Sequence, residues 1–389
     1  MIDVVKWCLK ISYFYGRLTG VLNFEIDFKT GKTLANTRNT MCAACTHFVL
    51  FGSMVYNFKP REMKRMWTYA NSLHEYVFMV LAFIRIICVS LALMSRWSQR
   101  RRFMRLFNSF RLLFLYNPRI MQNCRRSILS KCFCVTMAEI LQLFVVLTMM
   151  RNTLTIWLAL RIWGILCLTA IVNVIITQYF IAMATIRGRY SLLNYELNAV
   201  VSETLTLIPN GSGVFMTRCC TLADRLEKIA RNQSNLQKLI NKLTKAYQGQ
   251  VLCLIIAYYL NLVGSIYILF SIRKYGGLTD DWPIYVTVCS VSCLFFVYLD
   301  CGLNCFNVFY LLDDHDKMVK LLDQRTRFQP GLDHRLEAVF ESFVVSLARN
   351  PLKLRFFDAF EIDRTSSFAI GTSILTHSIL LIQYDMAHY

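Results

Sequence analysis

The sequence predicts an all-α polytopic membrane protein with seven transmembrane helices. Its N-terminus is expected in the cytosol, its C-terminus outside the cell, with long cytosolic helical extensions between. Three observations carry that reading. The 389 residues are 56% hydrophobic with a mean hydropathy of +0.41, more apolar than a soluble chain of this length. Seven apolar runs stand near residues 40–57, 67–94, 132–150, 155–185, 249–271, 283–312 and 365–384. Each is about long enough to cross a roughly 30 Å hydrocarbon core as a helix. Of the 43 Lys and Arg, 34 fall on one side of these runs and 7 on the other, which marks the basic side as cytosolic.

Taken in order, residues 1–39 form a cytosolic amphipathic segment. Lys6, Lys10 and Arg17 are spread among apolar residues without a cleavable apolar core, so this stretch reads as an interfacial helix and not a signal peptide. Residues 40–185 hold spans one to four. The intervening 95–131 loop carries ten basic residues and no acid, and the basic cluster Lys59, Arg61, Lys64, Arg65 is the one exception to the charge rule. Residues 186–248 are a cytosolic helical extension, too long and regular for a loop. There Leu222, Leu226, Ile229, Gln233, Leu236, Ile240, Leu243 and Tyr247 alternate in steps of four and three, a heptad seam with one polar interruption. That seam packs either within its own subunit or between subunits, the first being the simpler reading. Residues 249–312 hold spans five and six. Residues 313–364 form a second cytosolic anchor, with 317–353 expected as one intracellular half of the last helix, ending at Asn350-Pro351. The quartet Asp313-Asp314-His315-Asp316 is expected to open that helix, its carboxylates favouring the N-terminus. Residues 365–389 are the last span and an extracellular tail.

Composition excludes several functions. The net charge of +19 lies between apolar runs, so it serves topology and lipid headgroups rather than nucleic acid. The fifteen Cys sit mostly inside apolar runs. No His or further Cys completes a site around Cys301/Cys305 or Cys132/Cys134, so neither a metal nor another cofactor is expected. No nucleophile elbow, phosphate loop or zinc-protease motif occurs, and an enzyme is not expected. Sequons at Asn210 and Asn232 fall on the side read as cytosolic and are expected to carry no glycan.

The last run is patterned. At about 100° per residue, Thr365, Thr372, Thr376 and Gln383 fall on one line, and Ser366, Ser373, His377 and Tyr384 on a second. A polar stripe on a spanning helix needs a helix partner or water to face. Either a helix–helix contact or a pore satisfies it.

The residues Thr376-His377, the run to Ile382, then Gln383-Tyr384 resemble the C-terminal signature of insect gustatory receptors: Thr-Tyr, five apolar residues, Gln-Phe. His377 stands for Tyr, Ser378 interrupts the run, and Tyr384 stands for Phe. Phe360, Ile362, Asp363 and Gly371 resemble the family's approach to that motif. The resemblance implies a ligand-gated cation channel at the plasma membrane of a sensory dendrite. Four like or related subunits would be joined by cytosolic helices, with the last span lining a shared pore. It places Gln383 and Tyr384 near the outer gate. Ile379, about one turn deeper, is a second constriction that closes by dewetting. Asp385 is a candidate acidic ring at the mouth. A metabotropic receptor and a transporter are the alternatives.

For the ligand, the resemblance implies an outward-facing pocket among spans two to six. Polar and aromatic groups at that level suit a small organic tastant: Tyr69, His74 and Glu75 in span two, Trp157 and Arg161 in span four, Tyr258 and Tyr259 in span five, and Tyr285 opening span six. The competing reading is an aromatic belt with a Glu75–Arg161 pair holding the bundle. A bitter or aversive ligand is the expected class.

Overall fold

The computed structural model describes residues 4–27, 30, 32–57, 72–116, 119–149, 156–209, 212–275, 284–328, 330–357 and 360–388. Helix α1 (Val4–Leu18) ends on Gly20. Its φ of +73° suits a residue without a Cβ, and its N–H reaches Arg17 O at 3.1 Å to close the turn. A two-residue hairpin follows, β1 (Glu25–Ile26) with β2 (Thr33–Leu34). Then come α2 (Thr37–Asn57), α3 (Ser72–Ser98), α4 (Arg100–Tyr116) and α5 (Arg119–Met149). The long helices are α6 (Ile156–Leu205), α7 (Gly213–Tyr275) and α8 (Ile284–Asp323). A 3-10 turn (Gln324–Arg327), α9 (His334–Arg349), a hairpin of β3 (Arg355–Phe356) and β4 (Phe360–Glu361), and α10 (Arg364–His388) complete the chain.

Among the described residues, six helices are long and apolar enough to cross a membrane: α3, α5, α6, α7, α8 and α10. They carry the expected spans two to seven. The expected first span, α2, does not belong to this set; within its 40–57 run His47 interrupts the apolar residues.

Helix α6 has 50 residues and α7 has 63. At about 1.5 Å per residue they reach about 75 and 95 Å, more than twice a hydrocarbon core of roughly 30 Å. The excess of the two forms a hairpin bundle joined by α9. The heptad seam lies inside it: Leu222, Leu226, Ile229, Gln233, Leu236, Ile240, Leu243 and Tyr247 are all buried within this one chain. The seam therefore serves its own subunit. Helix α9 closes the bundle with Leu336, Phe340, Phe343 and Leu347, spaced for one helical face.

Three expectations need correction. The 317–353 segment is not one helix. The chain turns at Pro330-Gly331, where Pro lacks an N–H and Gly331 adopts φ +96°. The acidic quartet does not open a helix, since α8 runs through it to Asp323. Asp313 instead accepts two bonds from Arg364 Nη2 at 2.9 and 2.6 Å. Asn194 Nδ2 binds the Asp314 carbonyl at 2.7 Å. Lys131, expected at the edge of a solvated loop, is fully buried in α5.

Lys131 Nζ donates to both oxygens of Asp300 on α8, at 2.6 and 2.7 Å, and to Asn304 Oδ1 at 3.2 Å. This ion pair sits at the extensive α5–α8 contact. A buried charge left alone is far costlier than the pair is stabilising. We expect Asp300→Leu or Lys131→Met alone to cost about 3–5 kcal/mol and the double substitution to recover most of it. Thermal unfolding of the purified protein measures both. Equal loss in the double variant would show that the pair does not act as a unit.

Candidate functional site

Polar residues in the spans converge on a cavity of about 390 Å³ enclosed by α3, α5, α6, α7 and α8. Its walls are aliphatic, and its polar lining includes Arg85, Gln142, Thr169, Asn173, Tyr258 and Asn261. Arg85 Nη2 donates to Thr169 Oγ1 at 2.6 Å, and Gln142 Nε2 approaches the same oxygen at 3.3 Å. Asn173 Nδ2 donates to Glu139 Oε1 at 2.8 Å, whose other oxygen accepts from Tyr15 of α1 at 2.8 Å. Asp300 also reaches this cavity, but Lys131 balances its charge. Among the described residues no carboxylate pairs with Arg85, so the guanidinium is the cavity's uncompensated charge. An apolar chamber with one cation and a few amides has the chemistry to suit a small molecule that carries a hydrogen-bond acceptor.

Of the sequence-derived ligand residues, the structure brings Tyr258 to this cavity. His74 is buried against α7, its Nδ1 3.0 Å from Ser271 Oγ. Glu75 beside it is half-buried. Tyr259 points the other way and bonds α10. Tyr285 is half-exposed, its ring 6.2 Å from Phe144. Tyr69 lies outside the described residues, as do the side chains of Trp157 and Arg161 in the first turns of α6. The sequence reading missed Gln142, Thr169 and Asn173. The signal was present: Thr169 and Asn173 stand four apart inside an apolar run, hence on one face.

The last span, α10, packs on α7. It starts in a reciprocal cap: Ser366 N–H donates to Asp363 Oδ1 at 2.6 Å, and Asp363 N–H donates to Ser366 Oγ at 3.0 Å. Midway, Tyr259 OH lies 2.8 Å from Ser373 Oγ and 3.0 Å from His377 Nδ1. Near its end the fully buried Asp385 accepts from Tyr267 OH at 3.2 Å, Lys274 Nζ at 3.1 Å and Tyr275 OH at 3.0 Å. That cage corrects the expected acidic ring: within its own subunit, Asp385 faces α7.

The first polar line, Thr365, Thr372, Thr376 and Gln383, is exposed in the single chain, as are Ile379 and, from the second line, Tyr384. Thr372 and Thr376 donate to the carbonyls four residues back, at 3.1 and 3.0 Å. Their protons are thus spent inside the helix, and oxygen lone pairs face outward.

The Ser366 N–H holds the Asp363 carboxyl below the usual carboxylate range. A carboxylate depressed on folding stabilises the fold above its unfolded pKa of about 3.9. That contribution is lost as pH falls through the lower folded value. Hydrogen exchange across Ser366–Phe368 is therefore expected to gain an acid-dependent opening below about pH 4, relative to Asp363→Asn. Identical acid profiles would remove the cap's role.

Comparison with known proteins places this architecture. A family model described as 7tm chemosensory receptor matches residues 9–388. The chain is 58% identical over 390 residues to gustatory receptor 59d of Drosophila melanogaster, covering all of both chains. It is 35% identical over 397 residues to gustatory receptor 36b of the same species, again over both full lengths. In fold it is similar to the insect olfactory receptor OR5 from Machilis hrabei solved in complex with eugenol, with a TM-score of 0.64 and 12% identity. That match covers 97% of this chain and 98% of the other. A second structure of the same receptor gives a TM-score of 0.65 over 98% of this chain and 99% of the other.

Proposed function

The chain belongs to the insect gustatory receptor family of multi-pass chemosensory membrane proteins, and we propose on that premise that it is a subunit of a ligand-gated, non-selective cation channel. Four like or related subunits enclose a shared axis. Each presents α10, with α2 completing seven spans and the N-terminus in the cytosol. The site of action is the plasma membrane, in a sensory dendrite by likeness to its relatives.

One observation carries the proposal: the Thr365–Gln383 line is left uncovered while the opposite face of α10 is bonded to α7 at Tyr259, Tyr267, Lys274 and Tyr275. A polar stripe that its own subunit does not cover must meet other subunits or water. Outward lone pairs of threonine suit cations. Gln383 and Tyr384 form the outer constriction and Ile379 the deeper one.

The ligand enters the cavity of Arg85 and Tyr258. Its shape suits an uncharged or anionic small tastant with an acceptor group, of the bitter or aversive class. The olfactory relative solved with eugenol gives a precedent for a small aromatic ligand in this fold.

Cysteine scanning under voltage clamp tests the pore. Thr372→Cys, Thr376→Cys and Gln383→Cys are expected to let a charged thiol reagent abolish ligand-evoked current, beyond the wild-type baseline set by native thiols. Thiols unreachable from either side would end the channel reading. Arg85→Gln removes a charge-assisted hydrogen bond and is expected to raise the half-activating concentration about tenfold or more while leaving maximal current. An unchanged dose response would remove Arg85 from recognition.

A further inference from the structure

We propose a second small-molecule site, distinct from the Arg85 cavity and set directly against α10, that takes an uncharged alcohol-type amphiphile. Between α6, α7, α8 and the first half of α10 lies a cavity of about 350 Å³, within the size range of small-molecule sites. Apolar side chains dominate it, among them Met183 and Ile374, and Tyr258 stands on the border with the first cavity.

Two polar groups point to an occupant. Asn307 is 3% exposed. Its Nδ2 donates to Phe180 O at 3.2 Å, but its Oδ1 is buried and finds no partner among the described residues. The Tyr179 hydroxyl is likewise buried without a partner among them. Both residues line the cavity. An unsatisfied buried polar atom costs about 1–3 kcal/mol, so two on the lining of one cavity favour a guest that can hydrogen-bond there. Asn307 Oδ1 can only accept, and a phenol can donate. A hydroxyl suits either group, since it can donate to Asn307 Oδ1 or accept the Tyr179 proton. The apolar remainder asks for a hydrocarbon body, and a charged ligand would be left unsolvated there. The site shares α10 residues Gly371 and Ile374, so its occupant contacts the last span without passing through the Arg85 cavity.

The inference needs no current and stands apart from the channel reading. A diazirine-bearing octanol is photolysed on the full-length receptor in nanodiscs, and labelled peptides are mapped by mass spectrometry. Labels are expected around Tyr179–Met183 and Asn307. Octanol should protect these peptides, and octane should require about fivefold more, the worth of one hydrogen bond. Asn307→Leu removes the acceptor and is expected to erase the difference between octanol and octane. Gly371→Leu serves as a second variant. A Cβ there meets nothing within 4 Å, so the added side chain enters open space and is expected to reduce labelling at both peptides. Water alone in the cavity would give no protectable label at these peptides. That result, or protection confined to Arg85, Thr169 and Asn173, would overturn the proposal.

Discussion

Two full charges, Lys131 and Asp300, sit where neither lipid nor bulk water solvates them, and the bundle is arranged to keep them together. Their contact joins α5 to α8. Asn304 one turn on from Asp300 bonds both partners, receiving from Lys131 at 3.2 Å and donating to the Asp300 carbonyl at 2.7 Å. This arrangement bears on the electrostatics of the Arg85 cavity. Asp300 reaches that cavity but is spent on Lys131, which leaves Arg85 as its net charge. Without the pair, Asp300 would bring an uncompensated negative charge to the lining of the same cavity. The same lysine that holds two helices also keeps the cavity cationic.

Some polar groups elsewhere in the bundle tie distant helices together in the same way. Glu139 is shared by Asn173 and Tyr15, which ties α1 to the middle of the spans. Arg96 at the far end of α3 donates to Gln178 and lies 3.8 Å above the Phe103 ring. Helix α10 is tied in this way on one face alone. It is fastened to α7 and α8 at three heights by Arg364, by Ser373 with His377, and by Asp385. Its threonine line has no such fastening. Stability therefore comes from one side of the helix, which leaves the other side's chemistry free of any packing duty within the subunit.

Much of this was legible in the sequence. The heptad positions from Leu222 to Tyr247 and the apolar face of α9 are read from spacing, because helical period is a local property. The start of α10 is legible too, since Asp363 and Ser366 form a cap at the right separation, whereas the helix runs past the expected Tyr384 to His388. Residues whose meaning depends on distant partners were not legible. Lys131 reads as the last charge of a basic loop until Asp300, 169 positions away, is placed against it. Asp300 and Glu139 lie inside apolar runs, where any acid is expensive. That cost was the available signal, and it went unused. Pro330-Gly331 was a turn signal outweighed by the apolar residues on either side.

The consecutive residues Tyr258 and Tyr259 connect the cavity to the last span. Side chains one position apart on a helix diverge by about 100°, so Tyr258 faces the Arg85 cavity while Tyr259 bonds Ser373 and His377 of α10. The same helix carries Tyr267, Lys274 and Tyr275, which hold Asp385. Its other end carries the seam that binds it to α9. An occupant that rotated or displaced α7 at Tyr258 would act on one continuous helix, and no chain of separate contacts is needed to reach α10. The buried seam would hold one end of that helix, so any such displacement would fall at the other, where Asp385 follows directly on Gln383-Tyr384.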